Sequence, residues 1–237
     1  MPSTTTRCLG LLLGLLLPAT ALAQNSVKEF ELGGSASFLD DECIRLTPDT
    51  PYQTGSAWYD EPIDLSKPFE MRVSLVLGAK DLEGADGIVF VFHPTKQTGY
   101  RGEGMGFAGL VPSLGLEFDT YQNHHLLDPA GDHLAAMQHG RSFHGDGVRP
   151  VALGNLEDGR RHPLRIVWSP SAGTLEIHLD GELRASYPAT FVTKTFDGTP
   201  MVYWGMTAAT GRLSNPQDVC IENLLIGSRD EPSPARG

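Results

Sequence analysis

The sequence is poor in basic residues, and no run of Lys or Arg occurs anywhere. Eighteen Lys and Arg stand against 29 Asp and Glu, for a formal net charge of −11. A nucleic-acid backbone is held by clustered cations, so nucleic acid is not an expected partner. Long apolar runs are also scarce. The one run lies at the start, in "MPSTTTRCLGLLLGLLLPATALA", with Arg7 ahead of a leucine-rich core and the small-x-small ending Ala21-Leu22-Ala23. It has the layout of a secretory signal peptide and is short for a bilayer span. We expect residues 1–23 to be removed and the remainder to be soluble, secreted or periplasmic, without a membrane span. No G-x-S-x-G elbow, H-E-x-x-H helix or C-x-x-C pair is present, nor any Asn-x-Ser/Thr sequon. These absences remove several hydrolase, metalloprotease and thiol-redox readings. No run with the helical period of 3.6 stands out.

Cysteine is sparse too. Cys8 falls in the leader, which leaves Cys43 and Cys220 near opposite ends of the mature chain. In an oxidising compartment the pair is expected to form a disulfide.

The period that is present is two. In "FEMRVSLVL", Phe69, Met71, Val73, Leu75 and Leu77 alternate with Glu70, Arg72 and Ser74, the pattern of a half-buried strand. "LRIVWS" repeats it with Leu164, Ile166 and Trp168, and "TLEIHLDGELRASY" reads as a hairpin about Asp180-Gly181. "GIVFVF" is apolar throughout, as expected of a strand covered on both faces. "SLGLEF" and "PMVYWGM" add two more strands. Many strands with 27 glycines and 17 prolines point to an all-β sandwich. One domain is expected over residues 24–228. The polar, Pro-rich residues 229–237 are expected to form a disordered tail.

The densest chemistry lies in "EFDTYQNHHLLDPAGDH", residues 117 to 133. Glu117 and Asp119 are two apart and share a strand face, and Tyr121 and Asn123 continue the row while the chain stays extended. A loop then returns Asp128 and His133. Asp119, Asn123, Asp128 and the Tyr121 carbonyl form an all-oxygen set suited to Ca2+. Glu117, Asp119, Asp128 and His133 form a mixed set suited to Mn2+ or another transition ion. Clustered carboxylates repel one another without a cation, which favours ions over a bare acidic loop. A sandwich glycoside hydrolase is the catalytic alternative. Glu117 and Asp119 supply two acids, but Gln122 stands where a third would be needed to complete a flanking pair. A metal-stabilised structural or adhesion module is the other alternative. Gly104, Gly106 and Gly109 match a dinucleotide-binding glycine pattern, but proline and a further strand follow them instead of a helix.

"LGLEFDTYQN", followed by Asp128-Pro129 and His133, resembles the metal-binding signature of the L-type (legume-type) lectins. "GADGIVFVF", "GMGFAGL" and "GMTAATG" resemble further segments of that family in the usual order. The resemblance implies a concanavalin-like jelly-roll with a flat back sheet and a curved front sheet. It implies a non-catalytic, metal-dependent carbohydrate-binding protein, a bacterial-type exported member, whose partners are glycans or glycoconjugates. It assigns Asp86, after a cis bond from Ala85, to accept hydrogen bonds from sugar hydroxyls. It assigns the Gly106 N–H and the Asn123 amide to donate them, and places Tyr121 against the sugar. Arg212 and Leu213 fall in the loop that tunes specificity. His124 and His125 are expected to be exposed and not to be ligands. Homo-oligomers through the back sheet occur in some members of the family, and this chain is open to the same association.

Overall fold

The computed structural model describes residues 26–145 and 147–227; the expected leader (1–23) and the expected C-terminal tail (229–237) lie outside the described residues. Within them the chain forms β1 (Phe30–Gly34), β2 (Ser37–Phe38), β3 (Cys43–Thr47), β4 (Thr54–Tyr59), β5 (Ile63–Asp64), β6 (Phe69–Val76), β7 (Gly87–His93) and β8 (Leu114–Asp119). It continues with β9 (His133–Gln138), β10 (Val151–Ala152), β11 (His162–Ser169), β12 (Thr174–Leu179), β13 (Glu182–Pro188), β14 (Met201–Ala209) and β15 (Gln217–Ile226). All recorded pairings are antiparallel. One sheet runs β1-β4-β14-β7-β8-β9-β10, with β5 added to β14. The other runs β13-β12-β11-β6-β15-β3-β2.

The alternation read from the sequence sets the layers. Met71, Val73 and Leu75 of β6 and Leu164, Ile166 and Trp168 of β11 are buried between the sheets, opposite Ile88, Phe90 and Phe92 of β7. The intervening Val89 and Val91 point out of the other face of β7. There they pack against Trp58, Met105, Phe107, Leu110 and Met137 in a second apolar cluster. The glycine loop therefore roofs the outer face of the sheet, which explains why "GIVFVF" carries no polar residue. The roof sits close. A Cβ at Gly115 of β8 would come within 2.7 Å of the Phe107 ring, so this strand position has room only for hydrogen.

The β12–β13 hairpin turns on Asp180 and Gly181, with φ of 54° and 83°, the left-handed pair of a type I′ turn. Cys43 and Cys220 are register partners on β3 and β15 and form a disulfide. The first and last long strands of one sheet are thereby joined. One helix that the period did not announce, α1 (Ala189–Thr195), follows β13. At seven residues, with Pro188 at its N-cap, it is too short for an apolar face to repeat.

Candidate metal and ligand site

Three strand ends meet at one rim of the larger sheet. β7 begins at Gly87, β8 ends at Asp119 and β9 begins at His133. The pairing register places Gly87 opposite Asp119 and Asp119 opposite His133. Asp86 precedes β7 by one residue and is tied on both sides. Its N–H donates to the Ala209 carbonyl at 3.1 Å, and its own carbonyl accepts from the Thr120 N–H at 2.9 Å. The Ala85–Asp86 peptide is cis. Side chains far apart in sequence thus converge because neighbouring antiparallel strands start and stop together.

Glu117 and Asp119 point to the same side of β8, as expected. The row ends there, however, and does not continue to Tyr121 and Asn123. Asp119 Oδ1 accepts the Tyr121 N–H at 2.7 Å, a local turn that breaks the strand. Asp128 Oδ2 then accepts the Asn123 N–H at 2.6 Å and folds the loop back on itself. Gln122 donates its amide to the Asp128 carbonyl at 3.2 Å, so the residue in the place of a third acid is a loop tie.

The result is a buried acidic and imidazole cluster. Glu117 is 1% exposed, Asp119 3%, Asp128 7% and His133 0%. Asp119, Asp128 and His133 each offer a ligand atom within 4.8 Å of the others. So do Glu117, His133 and His144. His144 was not anticipated from the sequence. It lies beyond β9, its Nε2 bonds Glu117 Oε1, and its Nδ1 is 3.0 Å from Asp128 Oδ1. The visible signal was only a fifth histidine, after His124, His125, His133 and His139, with no spacing rule to place it. His124 and His125 are exposed, as expected. His125 Nε2 pairs with Glu103 Oε2 at 3.0 Å.

Electrostatics mark the cluster as incomplete by itself. Burial pushes the Glu117 carboxyl up to about 7, with the nearby Asp128 adding to the rise and His144 opposing it. Burial, then the Glu117 charge, pushes Asp119 well above the usual carboxylate range. Burial lowers His133. It lowers His144 too, but the adjoining Asp128 and Glu117 outweigh it and hold that ring at about 9. In and beside this cluster, Glu117 Oε2, Asn123 Oδ1 and His133 Nε2 are buried with no hydrogen-bond partner, and Asp128 Oδ1 and His144 Nδ1 have only each other at 3.0 Å. Orphaned buried polar atoms are rare and costly. Two buried triplets that share His133, Glu117–His133–His144 and Asp119–Asp128–His133, are what a cation-binding set looks like, and the donors fit divalent ions. Oxygen donors from Asp119, Asn123 and Asp128 suit a hard ion; carboxylates with imidazole suit a transition ion.

Beside this cluster a cavity of about 190 Å3 is lined by Ala85, Asp86, Glu103, Tyr121, Asn123, Gly211, Arg212 and Leu213. Asp86 is 4% exposed, and its Oδ2 has no partner. Burial first, and the charge of Glu103 second, raise its carboxyl to about 7. Glu103, on the glycine loop, also lies 3.4 Å from the Asn123 amide nitrogen, and sequence reasoning had not marked it. Gly106 stands apart from the cavity wall. Its N–H donates to the Tyr100 carbonyl at 2.8 Å, so the amide expected to face a ligand is engaged inside the loop. The structure brings Asp86, Tyr121, Asn123, Arg212 and Leu213 together and leaves Gly106 behind them.

A jelly-roll of two antiparallel sheets with an acidic and histidine cluster at one rim defines a sandwich of the legume-lectin type. The chain belongs to the L-type lectin family: the legume lectin beta-barrel domain matches residues 22–223. The vesicular integral-membrane protein VIP36 of Canis lupus familiaris is 27% identical over 220 residues, covering 89% of this chain and 60% of that protein. The present chain thus spans well under two thirds of that relative's length. Among solved structures, the exoplasmic/lumenal domain of VIP36 in its Ca2+/Man3GlcNAc-bound form superposes with a TM-score of 0.65. It is 21% identical, over 87% of this chain and 88% of that one. The lectin from Bauhinia forficata in complex with GalNAc superposes with a TM-score of 0.69, at 19% identity over 84% and 92% of the two chains. At these identities the likeness concerns the fold. Among the described residues no helix is long and apolar enough to cross a membrane.

Proposed function

We propose that this chain is a non-catalytic, metal-dependent lectin domain that binds glycans at the rim cavity. The observation that carries the reading is the partnerless, buried Asp86 carboxylate oxygen at a cavity whose wall continues into the acidic and histidine cluster. Asp119, Asn123, Asp128 and the Tyr121 carbonyl would hold Ca2+. Glu117, Asp119, Asp128 and His133 would hold Mn2+ or another transition ion. The ions supply positive charge to an otherwise self-repelling cluster and so fix the loop that carries Asn123. Asp86 accepts from sugar hydroxyls, the Asn123 amide donates, and Tyr121, Arg212 and Leu213 shape the opening. Charge-assisted bonds to Asp86 are stronger than neutral ones, yet each nets only about 1 to 3 kcal/mol against water. One monosaccharide therefore binds weakly, and avidity comes from extended or repeated glycans.

Bound glycan in VIP36 and in the Bauhinia lectin supports this reading. The disulfide and the leader-like segment support a secreted or periplasmic location for a domain spanning residues 24–228. A glycan array run with and without EDTA tests the proposal. Binding should vanish with EDTA, and it should fall at least about tenfold in Asp86→Ala, which removes a charge-assisted bond, and in Asn123→Ala, which removes an amide donor and an ion ligand together. Array signals unchanged in both variants would refute the site.

A further inference from the structure

The ligand set implied by the family resemblance contains one imidazole, His133. The structure contains a second. His144 sits 6% exposed at the same cluster, on the loop after β9, and its backbone N–H donates to the Leu126 carbonyl at 2.8 Å. That bond pins the His144 loop to the loop carrying Asn123 and Asp128. The His133 and His144 rings meet edge to face with centroids 5.0 Å apart. Glu117 lies between them, with Oε1 bonded to His144 and 3.8 Å from His133 Nε2.

Two explanations of a buried histidine here compete. In the first, a charged His144 ring takes the place of an ion and neutralises the carboxylates itself. In the second, His144 joins the ion-binding set. The first requires both ring nitrogens to donate. Nε2 meets Glu117 and Nδ1 lies 3.0 Å from Asp128 Oδ1, so a charged ring would pair with one oxygen of each carboxylate. It leaves Glu117 Oε2 and His133 Nε2 without hydrogen-bond partners. Glu117, His133 and His144 each offer a ligand atom within 4.8 Å of the others, so an ion seated there would reach both rings and the carboxylate between them.

We infer that His144 is an additional protein ligand of the transition-type ion, giving a set of Glu117, Asp119, Asp128, His133 and His144. The inference rests on the reading that the cluster holds divalent ions, and it changes which ion is favoured. Imidazole suits zinc, nickel and copper, whereas carboxylate and water suit manganese. A second imidazole in a dry site shifts the preference from Mn2+ towards Co2+ and Zn2+.

The test uses the full chain, stripped with EDTA, dialysed, saturated with Ca2+ and titrated with Co2+, Zn2+ or Mn2+ in mildly alkaline buffer. Proton NMR of the Co2+ protein should show two hyperfine-shifted, exchangeable imidazole N–H signals, one from each ring. His144→Ser should leave one, alter the visible cobalt bands, and weaken Zn2+ at least about tenfold while weakening Mn2+ less, since lost outer partners alone cost 10- to 100-fold. A single shifted imidazole signal in the wild-type protein would overturn the assignment, and that measurement requires no variant to fold. Binding of Ca2+ with no uptake of Co2+ or Zn2+ would overturn it in favour of the charged-ring explanation. Glycan retention on the same samples is read separately. Its loss from the fully loaded wild-type protein strikes the lectin reading and leaves the cobalt result standing.

Discussion

Removing divalent ions should lower the melting temperature sharply. Asp119 and Asp128 place carboxylate oxygens within 4.8 Å of one another, both side chains buried. At an effective dielectric constant of about 20, two unit charges at that distance repel by roughly 3 to 4 kcal/mol, an upper bound here because the Asp119 carboxyl is raised and takes up a proton more readily. Bound cations reverse the sign of this interaction. By linkage, one ion at about 100 times its dissociation constant stabilises the native state by about 2.7 kcal/mol. For a domain of about 200 residues each kcal/mol shifts Tm by roughly 2 to 4 °C. One ion is then worth about 5 to 11 °C and two about twice that. Calorimetry with Ca2+ plus Mn2+, against EDTA, measures the difference. Asp119→Asn gives the internal control, because it removes the repulsion and replaces a charged ligand with a weaker neutral one. It should melt below the wild-type protein with ions present, and at or above it in EDTA. Superimposed wild-type melts with and without EDTA would refute the reasoning, since the cluster would then be satisfied by protons and His144 alone.

Two further outcomes follow from groups outside the ion set. Glu157 is buried, bonded to the Asn215 amide, and held at about 8 by burial first and by Asp132 second. A carboxyl raised in the folded state contributes stability that is full below its unfolded value, roughly 4.3. That contribution is lost as pH rises towards 8. Glu157→Gln should therefore gain stability over the wild-type protein by a few kcal/mol between mildly acidic and mildly alkaline pH, on the scale of 1.36 kcal/mol per pH unit; parallel urea midpoints at the two ends would contradict this. Phe107→Ala removes a ring that is fully buried under the glycine loop, and such truncations cost about 3 to 5 kcal/mol. Because the same loop presents Glu103 to the cavity, glycan binding should weaken along with the urea midpoint. Unchanged glycan affinity at a lowered midpoint would show that the loop's seating does not reach the cavity.

The layers of this fold were legible because a period of two is a direct statement about burial. Leu164, Ile166 and Trp168 could be assigned to the core from spacing alone, and Asp180-Gly181 fixed one hairpin through backbone chemistry. Glu117, Asp119, Asp128 and His133 were legible as a set because ligand-type side chains seldom crowd a strand end without cause. What the pattern could not give was anything set by tertiary placement. The row through Tyr121 and Asn123 fails because the Asp119 side chain captures a backbone N–H and ends the strand. His144 and Glu103 reach the cluster and the cavity across loops whose paths have no period. Gly106 shows the complementary limit: its position in a motif was readable, but the partner of its N–H was decided by how the loop closes on Tyr100.

Register makes the core and the rim a single mechanical unit. Glu117 and Asp119 face the same side of β8 as Gly115, on which the Phe107 ring sits. Val89, opposite Glu117 in the neighbouring strand, packs into the same outer cluster. A slip of one residue between β7 and β8 would turn both acids into the apolar layer that Leu116 and Phe118 now fill. It would also carry Gly87, and with it Asp86, out of line with Asp119 and His133. No local rearrangement can therefore place the carboxylates correctly while the core is wrong. The converse holds as well, because ions that bind only the correct register stabilise that register over its neighbours. On the proposed reading, the acidic cluster, costly by its own electrostatics, would favour the native strand pairing when divalent ions are bound.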